Sequence, residues 1–430
     1  WSSDVCSSDL PKQEKTFMGA QHDKNTRILN AAVIIAALGY FVDIYDLLLF
    51  GFVRVKSLES LGLSGQALTD VGISLFNWQM IGMLLGGVFW GVLGDKKGRV
   101  SVLYFSIALY SISNIANGFI STPAEYAFCR FFAGIGLAGE LGAGITLVSE
   151  ILPKEKRGYG TMLVASIGLS GALLAWVVST NFSWQNSYFI GGGLGIALLV
   201  FRISVAESGI FKQVKSNQDI ARGNFLSLFT SKDRFYRFLQ CMLIGSPTWF
   251  VVGILVTLAP EFAAVKGLEG ITGGNAIAAC YTGLILGDIL SGLLSQYLKS
   301  RLKVMWIFLI ADLLAVLYYL TSDFSSPAMM YFAHFLLGIS VGFWVIFVTI
   351  AAEQFGTNLR ATVATSVPNF ARGMLVPISM SFKYLKDPAA TGSVITAAYI
   401  VGAVCIGIAF LSLWKMSETF HKDMDYVETI

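Results

Sequence analysis

The sequence predicts an all-α membrane protein, with twelve transmembrane helices arranged as two six-helix halves. Three observations predict it. The chain has 430 residues, 55% of them hydrophobic and only 13% charged, whereas a soluble domain carries about 25% charge. It contains twelve apolar runs close to or above the roughly 20 residues that cross a bilayer. It also repeats itself: Phe128, Arg130 and Gly134 match Phe332, His334 and Gly338 at an offset of 204, and Glu150 and Arg157 match Glu353 and Arg360 at an offset of 203. One gap reconciles the two offsets. A repeat of half the chain, both copies apolar, suggests two similar membrane bundles.

The opening WSSDVCSSDL, residues 1–10, resembles the translation of a sequencing adapter and is set aside as an artefact, Cys6 with it. Residues 11–27 are polar and basic and read as a cytoplasmic N-terminal segment. The spans follow at 28–53, 71–94, 100–119, 125–150, 158–180 and 187–206, then at 235–262, 274–298, 303–322, 327–353, 362–384 and 391–414. Gly191–Gly193 and Gly195 are expected to break span 6. Pro247 and Pro260 should interrupt span 7, and Pro368 and Pro377 span 11. Such breaks survive where neighbouring helices satisfy the freed backbone groups. The bundles are thus 28–206 and 235–414. The polar, basic connection 207–234 links them, and 415–430 is a tail. With the N-terminus in the cytoplasm, 23 of the 30 Lys and Arg residues fall on the cytoplasmic side, five on the outer side, and Arg130 and Arg372 inside spans. The positive-inside rule therefore places both termini in the cytoplasm. The expected location is a bacterial inner (plasma) membrane. Cys129, Cys241, Cys280 and Cys405 lie in apolar runs without metal-like spacing and read as small buried hydrophobes.

Ionisable residues inside these spans are the functional candidates, because a charge in the membrane needs a partner or a watery cavity. In span 1, Asp43 and Asp46 are three apart and share a helix face. Burial and like charge favour the neutral form of a carboxyl, which suits proton coupling. A structural pair, for instance Asp46 with Arg130, is the alternative. Glu140 in span 4 either carries a proton, binds a cationic group or packs as a hydrogen-bonded carboxyl. His334 in span 10 is a proton-relay candidate by its titration near neutrality, or a packing residue. Arg130 and Arg372 offer fixed positive charge suited to a carboxylate or phosphate. Tyr45, Trp78, Trp249, Trp344 and Asn369 are candidate lining residues. Asp288 and Asp312 are also intramembrane, and Asp288 reads as an interhelical hydrogen-bonding partner. No nucleotide loop, metal cluster or nucleophile constellation is present in the sequence, so no enzyme activity, cofactor, metal or nucleic-acid partner is expected.

Between spans 2 and 3 the chain reads Gly91-Val-Leu-Gly-Asp95-Lys-Lys-Gly98-Arg99. This turn resembles the signature loop of the major facilitator superfamily. Arg130 with Gly134 and Gly136 is similar to that family's fourth-helix motif, and Glu150 with Pro153, Arg157 and Gly158 to the loop after it in sugar and metabolite porters. The second half departs from the pattern: Gln296 stands where Asp is expected, and His334 replaces Arg. The resemblance implies alternating access around a site lined mainly by helices 1, 4, 7 and 10. It implies a cytoplasmic gate of Gly91, Asp95, Gly98, Arg99, Glu150 and Arg157, with Glu353 and Arg360 acting likewise in the second half. Span 1 resembles the acidic first helix of proton-coupled phosphate and metabolite symporters. The expected function is proton symport of a small polar organic solute, an anionic metabolite or sugar derivative, by a monomer embedded in lipid. An exporter or an uncoupled facilitator is the alternative. The Gly-Pro pair of the superfamily's antiporters does not occur in span 5, which disfavours export. A non-transporting sensor would need a soluble signalling domain that the chain lacks.

Overall fold

The computed structural model describes residues 31–97, 99–140, 154–207 and 225–420, together with positions 142, 144, 148, 152 and 428; side chains at 31, 32, 94–101, 154–158, 203–207, 357, 358 and 361 lie outside the description. All regular structure among the described residues is helical. The spans are Ala31–Ser60, Gly65–Lys97, Arg99–Asn117, Pro123–Leu137, a two-piece fifth span (Lys154–Leu169, Gly171–Asn181), and Trp184–Glu207. The second half follows with a segmented seventh span from Lys232 to Val265, then Gly273–Leu298, Arg301–Thr321, Pro327–Ser340 with Trp344–Glu353, Thr357–Gly373 with Leu375–Lys386, and Val394–Trp414. Eight of the described helical stretches are long and apolar enough to cross a membrane.

The internal repeat is visible in how the helices touch. A Cβ on Gly134 would overlap the Gln79 carbonyl of span 2, and one on Gly338 would overlap the Cys280 carbonyl of span 8. Reciprocally, Gly82 and Gly86 meet the carbonyls of Phe131 and Ile135, while Gly283 and Gly287 meet those of Phe335 and Ile339. Spans 2 and 4 in one half, and 8 and 10 in the other, therefore pack backbone to backbone through small residues. Between halves, span 2 runs along span 11 and span 5 along span 8. Large apolar side chains such as Phe105, Ile112, Phe119 and Phe128 remain outside, each more than half exposed. An apolar band on that scale fits lipid as its solvent.

Several sequence expectations change, and spans 5 and 10, expected as continuous runs, are each two helices. Span 6 is not broken: Trp184–Glu207 is one helix. Its glycines admit neighbours instead, since a Cβ on Gly191 would lie 2.5 Å from Asp46 Oδ1 and one on Gly192 2.9 Å from the Ser111 carbonyl. Helices 1 and 2 also outrun their apolar stretches, ending at Ser60 and starting at Gly65. The added turns are held by polar and tertiary contacts, among them Leu58 buried in the core and Ser57 bonded to the Arg54 carbonyl at 3.1 Å. The proline interruptions fall where expected in span 7 but not at Pro368, which lies inside an unbroken helix. Span 7 is broken around Pro247 and again before Pro260, with a wide π turn over Val251–Val256 between. Span 11 accommodates Pro368 within Thr357–Gly373 and breaks at Met374, before Pro377.

Candidate functional site

Asp43 and Arg372 bring the two halves together at the centre. Their charged groups stand 3.8 Å apart, both essentially without solvent exposure. The helix break at Met374 sits two residues beyond Arg372, so the arginine ends one helical segment instead of lying mid-rod. Its guanidinium lies 5.8 Å from the centre of the Trp344 ring, and one nitrogen reaches Asn369 Oδ1 at 3.4 Å. Asn369 is anchored across the interface by donating to the Ala138 carbonyl at 2.8 Å. Trp249 meets Trp344 edge to face, with centroids 6.1 Å apart. Tyr40, one turn before Asp43, lines a small cavity with Trp344, Thr161 and Thr349. The cluster is under-satisfied. Neither Asp43 oxygen accepts a hydrogen bond, and Arg372 Nε and the indole nitrogens of Trp249 and Trp344 have no partner. Buried polar groups are ordinarily hydrogen-bonded, and a long, two-atom ion pair does not repay its desolvation well. These unpartnered donors and acceptors are buried around the place where Asp43 and Arg372 join the halves.

Of the candidate lining residues, the structure thus gathers Trp249, Trp344, Asn369 and Arg372. Arg130 and Tyr45 belong to a second polar cluster inside the first half. Arg130 donates to Asn114 Oδ1 at 2.7 Å and lies 5.0 Å above the Tyr188 ring, and Tyr45 donates to the Ser187 carbonyl at 2.9 Å. Asp46 is buried in that half, in the field of Arg130, with both oxygens free of hydrogen bonds. No contact within 4 Å joins Asp46 to Arg130, so the direct pair expected as an alternative is not formed. Trp78 faces outward, 46% exposed and packed on Phe131, which suits a lipid-facing aromatic better than a site wall.

Glu140 has a charged partner in span 6. Arg202 is buried there and clamps Glu140 with two nitrogens. Gly39 leaves the room for this pair, since a Cβ there would overlap both side chains. The signal was present: Arg202 lies within the apolar run 187–206. His334 is fully buried, bonds the Met330 carbonyl through Nδ1 at 2.7 Å and packs on Tyr319. It stands apart from the Asp43–Arg372 pair.

Gly91 is described, and a Cβ there would meet open space. Gly98, Glu150 and the side chains of Asp95, Arg99 and Arg157 lie outside the described residues. Glu353 is held within its own half, 3.2 Å from Arg301 and bonded by the Thr419 hydroxyl at 2.7 Å, and Arg360 donates to the Ala352 carbonyl at 3.3 Å. Sequence reasoning did not find the contacts that bridge the halves at the other end. Arg54 of helix 1 reaches Glu261 at 2.9 Å, Thr69 reaches the same carboxylate at 3.3 Å, and Asp70 lies 3.4 Å from Lys383. Trp176 donates to Asn275 at 2.9 Å and Ser379 to Asn77 at 2.7 Å. Only a sequence register of the halves against each other would have exposed these pairs.

Comparison with known proteins gives a consistent picture. The profile of the Major Facilitator Superfamily matches residues 32–373. The chain is similar to the gentisate transporter of Corynebacterium glutamicum, 25% identical over 350 residues, covering 77% of this chain and 76% of that one. It is similar to the cis,cis-muconate transport protein of Acinetobacter baylyi, 24% identical over 409 residues, covering 92% and 95%. Its fold matches the solved structure of the proton:xylose symporter XylE bound to 6-bromo-6-deoxy-D-glucose, with a TM-score of 0.68, 14% identity, and coverage of 92% of this chain and 97% of that one.

Proposed function

The chain belongs to the Major Facilitator Superfamily, and we propose that it imports a small organic carboxylate together with protons by alternating access. The observation that carries the reading is the under-satisfied Asp43–Arg372 pair between the halves. Arg372 is a planar, permanently charged fork, fitted to a carboxylate and backed by the Trp344 ring. Asp43 competes with an incoming carboxylate for that fork. A proton on Asp43 releases Arg372 to the solute, and loss of the solute lets Asp43 ionise again. Solute and proton then bind as a unit, which is the condition for symport. The aromatic rings of Tyr40, Trp249 and Trp344 add apolar surface for a flat or unsaturated carbon skeleton. The substrates named for the two curated relatives, gentisate and cis,cis-muconate, are carboxylates of this kind.

The test is uptake of labelled small carboxylates, gentisate and muconate among them, into proteoliposomes under an imposed pH gradient, acid outside. Accumulation above equilibrium that a protonophore abolishes is the expected result. Uptake that stops at equilibrium would make the protein a facilitator. Uptake of neutral sugars in preference to every acid would overturn the carboxylate reading.

A further inference from the structure

Asp288 lies in span 8, fully buried, and the transport cycle above does not use it. Its Oδ1 accepts the Val345 N–H at 3.2 Å, and the Trp344 N–H faces the same carboxyl. These are the first two residues of the helix Trp344–Glu353, which restarts after the break in span 10. The opening N–H groups of a helix have no partner in their own helix. Phe343, at the cap position, supplies no side-chain acceptor, and a membrane interior supplies no water. A carboxylate from the neighbouring helix fills the cap from outside, where the helix dipole also favours it. The approach is close because glycine stands on both sides, Gly287 in span 8 and Gly342 in the break of span 10: a Cβ on Gly287 would lie 2.8 Å from the Gly342 Cα.

The first residue of the capped helix is Trp344, the ring that backs Arg372 and meets Trp249. We propose that Asp288 is a positioning residue, which caps the second segment of span 10 in trans and thereby fixes the Trp344 ring over the Arg372 site. The role for transport rests on reading that site as the carboxylate site; the cap does not.

Hydrogen exchange of the purified protein, without substrate, reads the cap directly. In Asp288→Ala, the amides of 344–347 should exchange about ten-fold faster, the equivalent of one lost cap. Asp288→Asn keeps an acceptor oxygen and should exchange as wild type does. Uptake should divide the same way, with KM raised several-fold and kcat little changed in Asp288→Ala and both near wild type in Asp288→Asn. If Asp288→Ala is not recovered folded, Asp288→Ser, with a shorter side chain, replaces it and should also exchange faster than Asp288→Asn. Unchanged exchange in the Ala or Ser variant overturns the cap, and faster exchange with an unchanged KM overturns the positioning role. An Asp288→Asn that loses accumulation while its exchange stays normal also overturns it, since the carboxyl would then act through its proton. Should wild type carry no carboxylate at all, the functional reading fails while the exchange difference still stands.

Discussion

Arg372 shows what a single side chain contributes beyond its charge. It stands between Asp43 and the Trp344 ring, with Asn369 on one nitrogen. Lysine would keep the charge and lose both the fork and the stacking. Arg372→Lys is therefore expected to raise KM for a carboxylate by about ten-fold or more while leaving the fold intact. Equal KM in the two proteins, measured by initial uptake rates, would show that the guanidinium does not touch the solute. The sequence displayed Arg372, Trp344, Trp249 and Asn369 as unusual residues for apolar runs. What gathered them is tertiary: Asn369 is tied to the Ala138 carbonyl of the other half. Tyr40 was hidden because a tyrosine in a membrane helix is ordinary, although its spacing from Asp43 puts it on the same face. The Glu140–Arg202 pair was hidden for a different reason, since a charge near the end of an apolar run reads equally as a solvated flank.

At the scale of elements, the last turns of helix 1 and the first turns of helix 2 carry more than topology. Arg54 extends over Gly72, where a Cβ would lie 2.9 Å from its Cδ, to reach Glu261 on the last segment of span 7. That segment, Ala259–Val265, is separated from the π turn by a break at Thr257 and Leu258, just before Pro260. Arg54 is buried, so losing its partner costs more than losing an exposed pair such as Asp70 with Lys383. Glu261→Gln should therefore weaken closure at this end. With native cysteines removed and one placed at the buried Ser379, an impermeant thiol reagent should label Glu261→Gln several-fold faster than its parent. Equal labelling rates would show that Arg54–Glu261 does not hold the halves together. The apolar pattern locates these helices but ends helix 1 too early and begins helix 2 too late, because the added turns are stabilised by contacts and not by hydropathy.

At the scale of the whole molecule, the repeat was legible because glycines at matched positions make matched crossings, Gly134 on span 2 and Gly338 on span 8. The repeat does not preserve the charge: His334, matched to Arg130, packs within its own half on the Met330 carbonyl. The tail is a second asymmetry. Glu418 caps the start of span 9, accepting from the N–H groups of Arg301 and Leu302 at 2.9 and 3.2 Å. Burial opposes ionisation there, but these bonds and the one from Ser300 hold the Glu418 carboxyl below its ordinary range. Its stabilisation is therefore present at neutral pH and lost as pH falls below about 4. Thermal stability of Glu418→Ala should lie below wild type at pH 7 and converge with it in acid; a constant gap would remove the cap from that account. Coupling is the property that belongs to no part alone. If Asp43, Asp46 or Glu140 carries the proton, net accumulation needs that group to lose the proton inside and regain it outside. Asn or Gln fixes it neutral, so the empty carrier cannot complete the cycle, while exchange of labelled for unlabelled solute needs no empty return. A carboxyl that only supports structure should impair both together, and the buried Glu140–Arg202 pair gives Glu140→Gln a reason to do so. In the proposed cycle the solute displaces Asp43 from Arg372 and the proton neutralises Asp43, so Asp43→Asn should abolish proton-driven accumulation and retain exchange in proteoliposomes. Loss of both, with the protein folded, would move the coupling site away from Asp43, and Asp46→Asn measured beside it would show whether the proton rides one turn further along the same helix.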